Sequence, residues 1–136
     1  MTRAPNLQKG DTVGMVAASS PVCVGKLDAA ISAVENFGLQ VKLGKSVFLK
    51  RGYLAGDDIT RAGDINNMFA DESIKGIFNI RGGYGAQRIL PLLDYGLIIS
   101  NPKVFAGYSD TTSLHIALIQ LCGFVTYHSP MPSTEL

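Results

Sequence analysis

Ser109 is the residue of this 136-residue chain whose surroundings most clearly suggest chemistry. It lies in the run Gly107-Tyr108-Ser109-Asp110, between an apolar stretch and a predicted helix. A serine at such a turn places its hydroxyl above the sheet edge and near the first N–H groups of the helix, which can stabilise an oxyanion. The match to a G-x-S-x-G nucleophile turn is partial, because Thr111 occupies the second glycine position. On local spacing alone, Ser109 or Asp110 is more often a helix cap, so both interpretations stay open.

A glycine-rich run, Arg81-Gly82-Gly83-Tyr84-Gly85, follows a predicted strand that ends at Ile80. Glycines let main-chain N–H groups approach a bound molecule closely, as in an oxyanion hole or a carboxylate-binding loop. The Arg81 guanidinium can pair with a substrate carboxylate, or it can brace the loop against a nearby acidic residue. The stretch departs from the dinucleotide pattern G-x-G-x-x-G at Arg88 and follows a late strand, which argues against a nucleotide cofactor. A tight strand-to-helix turn is the alternative explanation.

The histidines and cysteines suggest structural roles more than chemical ones. His115 lies within an apolar helix and is predicted to be a core or interface histidine rather than a catalytic one. His128 follows the last predicted strand, where it either faces the site or braces the turn before Pro130. Cys23 and Cys122 lie in apolar stretches without metal-ligand spacing, which predicts two buried, reduced thiols and no metal.

The elements that position these residues alternate along the chain. Short apolar runs predict strands over residues 11–18, 39–43, 74–80, 103–106 and 124–127. Helical spacing predicts helices over residues 27–37, from residue 57 onward, over 84–93 and over 111–121, with Ile59 and Phe37 among the buried positions. Repeated βα units predict a three-layer α/β domain with a mostly parallel sheet. Ligands of such sheets bind beyond the carboxyl ends of the strands, so the loops after Ala18, Ile80, Ala106 and Tyr127 are the informative ones.

Composition bounds the range of partners. The hydrophobic share of 46% and the charged share of 17% fit one globular domain, and the low charge hints that some apolar surface meets a partner. The formal net charge is +1 and the basic residues are scattered, which argues against nucleic acid and an anionic membrane surface as partners. No apolar run has the length of a membrane-spanning helix, and the first residues do not form a signal peptide.

Taken together, four stretches resemble the LD-carboxypeptidase family of serine peptidases, which includes murein tetrapeptide carboxypeptidases and microcin C immunity peptidases. In chain order they are Gly10-Asp11 with Val16-Ala17-Ala18-Ser19-Ser20-Pro21, then Gly52-Tyr53-Leu54-Ala55-Gly56, then Arg81-Gly82-Gly83-Tyr84-Gly85, and finally Gly107-Tyr108-Ser109-Asp110. Each stretch is weakly specific, but their order and their spread over nearly the whole chain make the set specific.

The resemblance implies a flavodoxin-like or Rossmann-like N-terminal domain, here residues 1–136, followed in the family by a separate C-terminal domain. It implies that Ser109 is the nucleophile, with the Gly83 and Asp110 main-chain N–H groups as the oxyanion hole. Arg81, Gly82 and Tyr84 are the expected substrate-binding residues. The implied reaction removes a terminal D-alanine from a cytoplasmic muropeptide in cell-wall recycling, without a metal or organic cofactor. Family members commonly form homodimers.

The sequence departs from the family in one large respect. The family's catalytic glutamate and histidine come from the C-terminal domain, and neither Glu135 nor His128 matches those positions. Because a serine hydroxyl without its base is a poor nucleophile, we predict little or no peptidase activity from this chain alone. The sequence leaves open a piece of a longer protein, a truncated gene product or half of a split enzyme. Two alternatives of another class are a non-catalytic anion- or nucleotide-binding module and an interaction domain that needs a partner.

Overall fold

Five parallel strands form one sheet in the computed structural model, which describes residues 1–133. The strands are β1 Thr12–Val16, β2 Gln40–Leu43, β3 Ile74–Asn79, β4 Val104–Gly107 and β5 Tyr127–His128. Their order, β2-β1-β3-β4-β5, is the flavodoxin-like order. The predicted α/β class is therefore confirmed, and every described strand pair is parallel.

Helices cover both faces of the sheet, as the alternating pattern predicts. They are α1 Leu27–Glu35, α2 Asp58–Ala70, α3 Tyr95–Ile99 and α4 Thr112–Ala117. Shorter helical turns lie at Val24–Lys26, Lys45–Phe48, Ala86–Leu92 and Ser109–Thr111, and a π-helical turn at Leu118–Cys122 follows α4. The sequence analysis did not predict α3.

An apolar cluster covers each face of the sheet, and side chains of one strand contribute to both clusters. Val13 and Met15 of β1 belong to the cluster that includes α1, whereas Val16 belongs to the cluster formed by α2, α3 and α4. In the second cluster the Phe69 ring of α2 lies 6.3 Å from the Phe105 ring, centroid to centroid. These two clusters make the three-layer arrangement that the sequence predicts.

Several predicted boundaries are wrong for local reasons. The helix predicted over residues 84–93 is a 3-10 turn over Ala86–Leu92, because Gly85 adopts a left-handed conformation (φ 119°) and Pro91 lies inside the segment. The last strand is Tyr127–His128, while Phe124 forms only an isolated bridge with Thr2.

Two residues predicted to be buried are exposed instead. Phe37 is 61% exposed because α1 ends at Glu35, where the Gly38 N–H donates to the Glu35 carbonyl and ends the helix. Ile59 is 76% exposed on the first turn of α2, and Arg61 takes the buried position. A charged residue on the buried side of α2 is not what its apolar periodicity predicts.

The sheet brings three loops to one edge. All strands are parallel, so the loops after β1, β3 and β4 lie together at the carboxyl ends. The chain leaves β1 towards β2 on one side and returns to β3 on the other, which places the switch point of the topology between β1 and β3. Within residues 1–133, none of the helices combines the length and apolar character needed to cross a membrane.

Candidate active site

Ser109 lies two residues after the end of β4 and has a strained backbone conformation. Its φ is +61°, and it is the one non-glycine residue with positive φ in residues 1–133. Serine seldom adopts this conformation, which costs free energy and concentrates at functional sites. The residue is exposed, and no side-chain cap hydrogen bond forms at the helical turn Ser109–Thr111 or at α4. Ser109 therefore does not cap the following helix through its side chain.

The glycine loop after β3 lies against Ser109. A Cβ atom built on Gly82 would lie 3.2 Å from both the Cβ and the Oγ of Ser109, which is closer than side chains normally pack. The next residue, Gly83, has φ +110°. Within the described part of the chain, the main-chain N–H groups of Gly82 and Gly83 have no hydrogen-bond acceptor. The loop thus brings two unpaired donors to the side of the serine.

Ser20, in the loop after β1, holds the glycine loop in place. Its N–H donates to the Gly82 carbonyl (3.2 Å), and its Oγ accepts from the Tyr84 N–H (3.1 Å). A Cβ on Gly83 would lie 2.1 Å from this Oγ, so the contact requires glycine. The sequence analysis found Ser20 only as part of a family motif, because local pattern gives no sign of a contact between residues more than sixty positions apart.

A cleft of about 290 Å³ opens between these loops. It is lined by Cys23, Lys26, Arg81, Gly82, Gly83, Tyr108, Ser109, Met131 and Ser133. Among these lining residues, Lys26 and Arg81 are cationic and none carries a carboxylate. The cleft is therefore suited to a ligand with negative charge beside the serine. The sequence analysis missed Lys26, which carries no motif signal.

Of the expected substrate-binding residues, Arg81 and Gly82 line the cleft, whereas Tyr84 does not. The Arg81 Nη1 donates to the Pro21 carbonyl (3.0 Å), so the guanidinium braces the loop after β1 through a carbonyl and not through an acidic residue. Tyr84 is exposed outside the cleft lining, where its ring lies 5.4 Å from the ring of Tyr53. Arg81, Gly82, Gly83 and Ser109 are thus brought together, and Tyr84 lies beside them.

Asp110 does not line the cleft, and its carboxylate holds the far end of the glycine loop. Its Oδ2 accepts a hydrogen bond from the Ala86 N–H at 2.9 Å. The Asp110 carboxylate therefore has a structural role. The expected oxyanion-hole role of this residue concerns its main-chain N–H instead.

His115 is a core histidine, as the sequence predicts. The side chain is 6% exposed, and its ring nitrogens lie 2.8 Å from the Gly107 carbonyl and 2.8 Å from the Thr126 hydroxyl. A neutral ring that donates from Nε2 to the carbonyl and accepts at Nδ1 satisfies both contacts. Burial lowers the pKa of His115, which favours this neutral form. The ring thereby fixes Gly107, two residues before Ser109.

Buried Asn79, which sequence reasoning missed, fixes the start of the helix after Ser109. Its Nδ2 donates to the Thr111 Oγ1 (2.7 Å), and its Oδ1 accepts from the Ala18 N–H (3.0 Å). The sequence signal is a single asparagine near the end of the apolar run over residues 74–80. Because a buried amide must find partners, Asn79 couples the ends of β1 and β3 to the turn that carries the serine.

The predicted burial of both cysteines is wrong for Cys23. It is exposed and lines the cleft, because residues 22–26 form a loop and a short turn at the sheet edge rather than a core segment. Cys122 is half-buried, and burial raises the pKa of its thiol. Within residues 1–133, no three His, Cys, Asp or Glu side chains lie together in a way that could hold a metal ion.

His128 is exposed and does not line the cleft, although its ring lies 5.9 Å from the ring of Tyr108. Glu135 lies outside the described residues. Neither position therefore supplies a described partner for the Ser109 hydroxyl.

Comparison with known proteins now decides the family. Residues 13–129 match the family model of the LD-carboxypeptidase N-terminal domain. The chain belongs to the LD-carboxypeptidase family. The match covers β1 to β5 and the strained serine, so the resemblance carried by the four sequence motifs is confirmed.

Relatives and solved structures agree with this assignment. The chain is 48% identical over 130 residues to a probable murein peptide carboxypeptidase of Bacillus subtilis, covering 96% of this chain and 41% of the relative. It is 32% identical to the microcin C7 self-immunity protein MccF of Escherichia coli, covering 93% of this chain and 38% of the relative. The crystal structure of an MccF-like protein from Bacillus anthracis superposes with a TM-score of 0.91 at 31% identity, covering 98% of this chain and 41% of that one. The chain thus spans about two fifths of the length of these relatives.

Proposed function

We propose that this chain is the nucleophile-bearing domain of a serine carboxypeptidase that removes the terminal D-alanine from murein peptides. The observation that carries the proposal is the strained, exposed Ser109 beside Gly82 at the carboxyl edge of the sheet. A strained serine at a strand-to-helix turn is the geometry that a nucleophile turn requires. The 48% identity to a probable murein peptide carboxypeptidase supports the substrate class.

In the proposed reaction, the Ser109 Oγ attacks the carbonyl carbon of the peptide bond before the terminal D-alanine. A base removes the hydroxyl proton, and the main-chain N–H groups of Gly83 and Asp110 stabilise the oxyanion of the tetrahedral intermediate. The C–N bond then breaks, the D-alanine nitrogen takes up the proton, and an ester forms at Ser109. Water hydrolyses this ester and regenerates the serine.

The cations of the cleft suit a substrate that ends in a carboxylate. In a carboxypeptidase substrate, the terminal carboxylate lies one residue from the bond that is cut. Arg81 and Lys26 line the same cleft as Ser109, so either can pair with that carboxylate. We assign this role first to Arg81, whose planar guanidinium can bind a carboxylate through two hydrogen bonds.

The base and its orienting carboxylate belong, in this proposal, to a second domain. The chain spans about two fifths of the relatives' length, and the family resemblance assigns a glutamate and a histidine to their remaining part. Because His115 is a core residue with two structural hydrogen bonds, it is not available to activate Ser109. We further propose that the whole enzyme works as a cytoplasmic homodimer in murein recycling, on the strength of the family resemblance.

A fusion protein tests the proposal. Residues 1–129 of this chain are joined to the remaining C-terminal part of the Bacillus subtilis relative, and release of D-alanine from a murein tetrapeptide is measured. We expect release by the fusion, abolition by Ser109→Ala, and little change with Ser113→Ala, a serine of α4 outside the cleft. Full release by the Ser109→Ala fusion would contradict the proposal.

A self-immunity peptidase is the second candidate function, favoured by the likeness to MccF in sequence and structure. The same fusion, incubated with microcin C7 and with its processed form, separates the two candidates. We expect faster cleavage of the murein tetrapeptide. Cleavage of a microcin substrate with no D-alanine release would assign the second function instead.

A non-catalytic binding module is distinguished by titration. Nucleotides and murein peptides are added separately to this chain and to its Ser109→Ala variant. Tight nucleotide binding that is unchanged by the substitution would favour the module over the peptidase.

A further inference from the structure

The one arginine that is fully buried in the described part of the chain lies beneath the glycine loop. Arg61, on the second turn of α2, is 0% exposed. Burying a guanidinium costs considerable free energy unless most of its N–H groups are paired. Its Nε has no acceptor within residues 1–133, so the cost is only partly compensated. A charged side chain kept at such a cost suggests a role beyond filling the core.

The guanidinium joins two of the loops that form the cleft. Its Nη1 donates to the Ala18 carbonyl, in the loop after β1, and to the Gly85 carbonyl, at the end of the glycine loop, at 2.8 Å in each case. Gly85 has φ +119°, and a Cβ there would lie 2.4 Å from the Leu54 side chain and 3.1 Å from the Arg61 Nη1. Glycine at this position therefore lets the loop come close enough to be held.

Acidic and basic neighbours fix the guanidinium in turn. Its Nη2 donates to the Asp58 Oδ1, one turn earlier on α2. The same carboxylate accepts two hydrogen bonds from Arg88, at 3.0 Å and 3.1 Å. Arg88 follows the glycine loop in the chain. Asp58 therefore links the Arg61 side chain to the segment after the Gly85 carbonyl, to which Arg61 also donates.

The Gly85–Ala86 peptide is gripped from its other side by the residue next to the nucleophile. Its carbonyl accepts from Arg61, while its N–H donates to the Asp110 carboxylate at 2.9 Å. Ser109 and the glycine loop are thus linked through one peptide group. Arg61 and Asp110 therefore hold the two sides of the peptide that ends the glycine loop.

We propose that Arg61 is a positioning residue that sets the distance between the glycine loop and Ser109. This inference rests on the proposed function, since it assigns the loop the task of stabilising the oxyanion. Arg61 does not contact the cleft itself, and it acts through the Gly85 and Ala18 carbonyls. An oxyanion hole needs its donors fixed before the reaction, and a rigid, forked donor beneath the loop provides that.

Amide hydrogen exchange of the 136-residue chain tests the inference without any need for activity. The reporters are three N–H groups that hold the glycine loop: Ser20 donates to the Gly82 carbonyl, Tyr84 to the Ser20 Oγ, and Ala86 to the Asp110 carboxylate. In Arg61→Met we expect their exchange to accelerate about tenfold or more, the local opening expected when buried hydrogen bonds are lost. Arg61→Lys, which keeps the charge, should restore part of the protection.

Lys103→Met is the matched control. Like Arg61, Lys103 is buried, and its Nζ donates to two main-chain carbonyls, those of Met68 and Asp71. It differs in position, because it immediately precedes β4 and so lies at the amino ends of the strands, away from the glycine loop. We expect it to lower the unfolding temperature while the three reporter amides keep their exchange rates. Unchanged reporters in Arg61→Met, or equal acceleration in Lys103→Met, would overturn the proposal.

Two further variants keep the test decisive. Asp58→Asn serves if Arg61→Met does not fold, because it leaves the arginine in place. We expect it to accelerate exchange of the same amides to a smaller degree. Unchanged exchange in Asp58→Asn would overturn the proposal. Ser109→Ala should leave the reporters unchanged, because the network does not use the hydroxyl. A fusion protein without D-alanine release, together with accelerated reporters in Arg61→Met, would refute the proposed function and retain the positioning role.

Discussion

The proposed reaction depends on how closely the glycine loop approaches Ser109. Gly82 lies beside the Ser109 Cβ and Oγ, and Gly82 itself does not have positive φ. An alanine there is therefore acceptable to the backbone, while its methyl group meets the nucleophile at 3.2 Å. Glycine is required at position 82 because Ser109 occupies the space of a side chain, and not because of the backbone φ angle.

Gly82→Ala should consequently separate activity from stability. We expect the rate of D-alanine release by the fusion protein to fall about tenfold or more, because a displaced nucleophile reacts poorly. The unfolding temperature should change little, because the backbone conformation is unstrained. Steady-state kinetics and thermal unfolding of the same preparation measure both quantities, and an undiminished rate would contradict the close approach.

His115 predicts how stability depends on pH. Burial lowers the pKa of His115, while the unfolded imidazole titrates near its ordinary value of about 6.5. The unfolded state then binds more protons as the pH falls below that value, so the folded state loses stability on acidification. Urea unfolding between pH 7.5 and about 5.5 should show this decline, weakened in His115→Gln and retained in His128→Gln, which changes an exposed ring. The same slope in His115→Gln would exclude His115 as its source.

At the scale of elements, the sequence predicts the strands better than the helices. Apolar runs locate the five strands within a few residues, most clearly β1, β3 and β4, whose residues are mostly buried. Helical periodicity misplaces Ile59 and cannot identify Arg61, because only the folded loops provide carbonyls for a buried guanidinium. The glycine loop and the strained serine are foreseeable as motifs, whereas the contacts through Ser20 and Asn79 arise between distant segments.

Helix α2 contains a glycine that can be replaced with benefit. A Cβ on Gly63 would have no heavy atom within 4 Å, and its φ is not positive. Gly63→Ala should raise the free energy of unfolding by about 0.5–1 kcal/mol, the usual difference between these residues inside a helix. Urea denaturation measures the change. In contrast, Gly83→Ala should destabilise the chain, because Ser20 occupies the space and φ is +110°. A destabilised Gly63→Ala would show that the site is packed more tightly than the structure indicates.

At the scale of the molecule, the proposed nucleophile Ser109 has no histidine beside it within residues 1–133. The described histidines are a core residue and an exposed one outside the cleft. A serine without a base reacts slowly, although oxyanion stabilisation and binding remain. We predict that the 136-residue chain alone releases no measurable D-alanine from a murein tetrapeptide under conditions in which the fusion protein does. Release by the chain alone, removed by Ser109→Ala, would mean that the described residues activate the serine.

The most direct test of the central claim is a covalent one. The fusion protein is treated with a serine-reactive fluorophosphonate, in which the attacking Oγ displaces fluoride, and the modified peptide is mapped by mass spectrometry. We predict a single adduct at Ser109, formed in step with the loss of D-alanine release and slowed by excess murein tetrapeptide. Loss of activity with the adduct on another residue, or full activity with Ser109 completely modified, would contradict the assignment of Ser109 as the nucleophile.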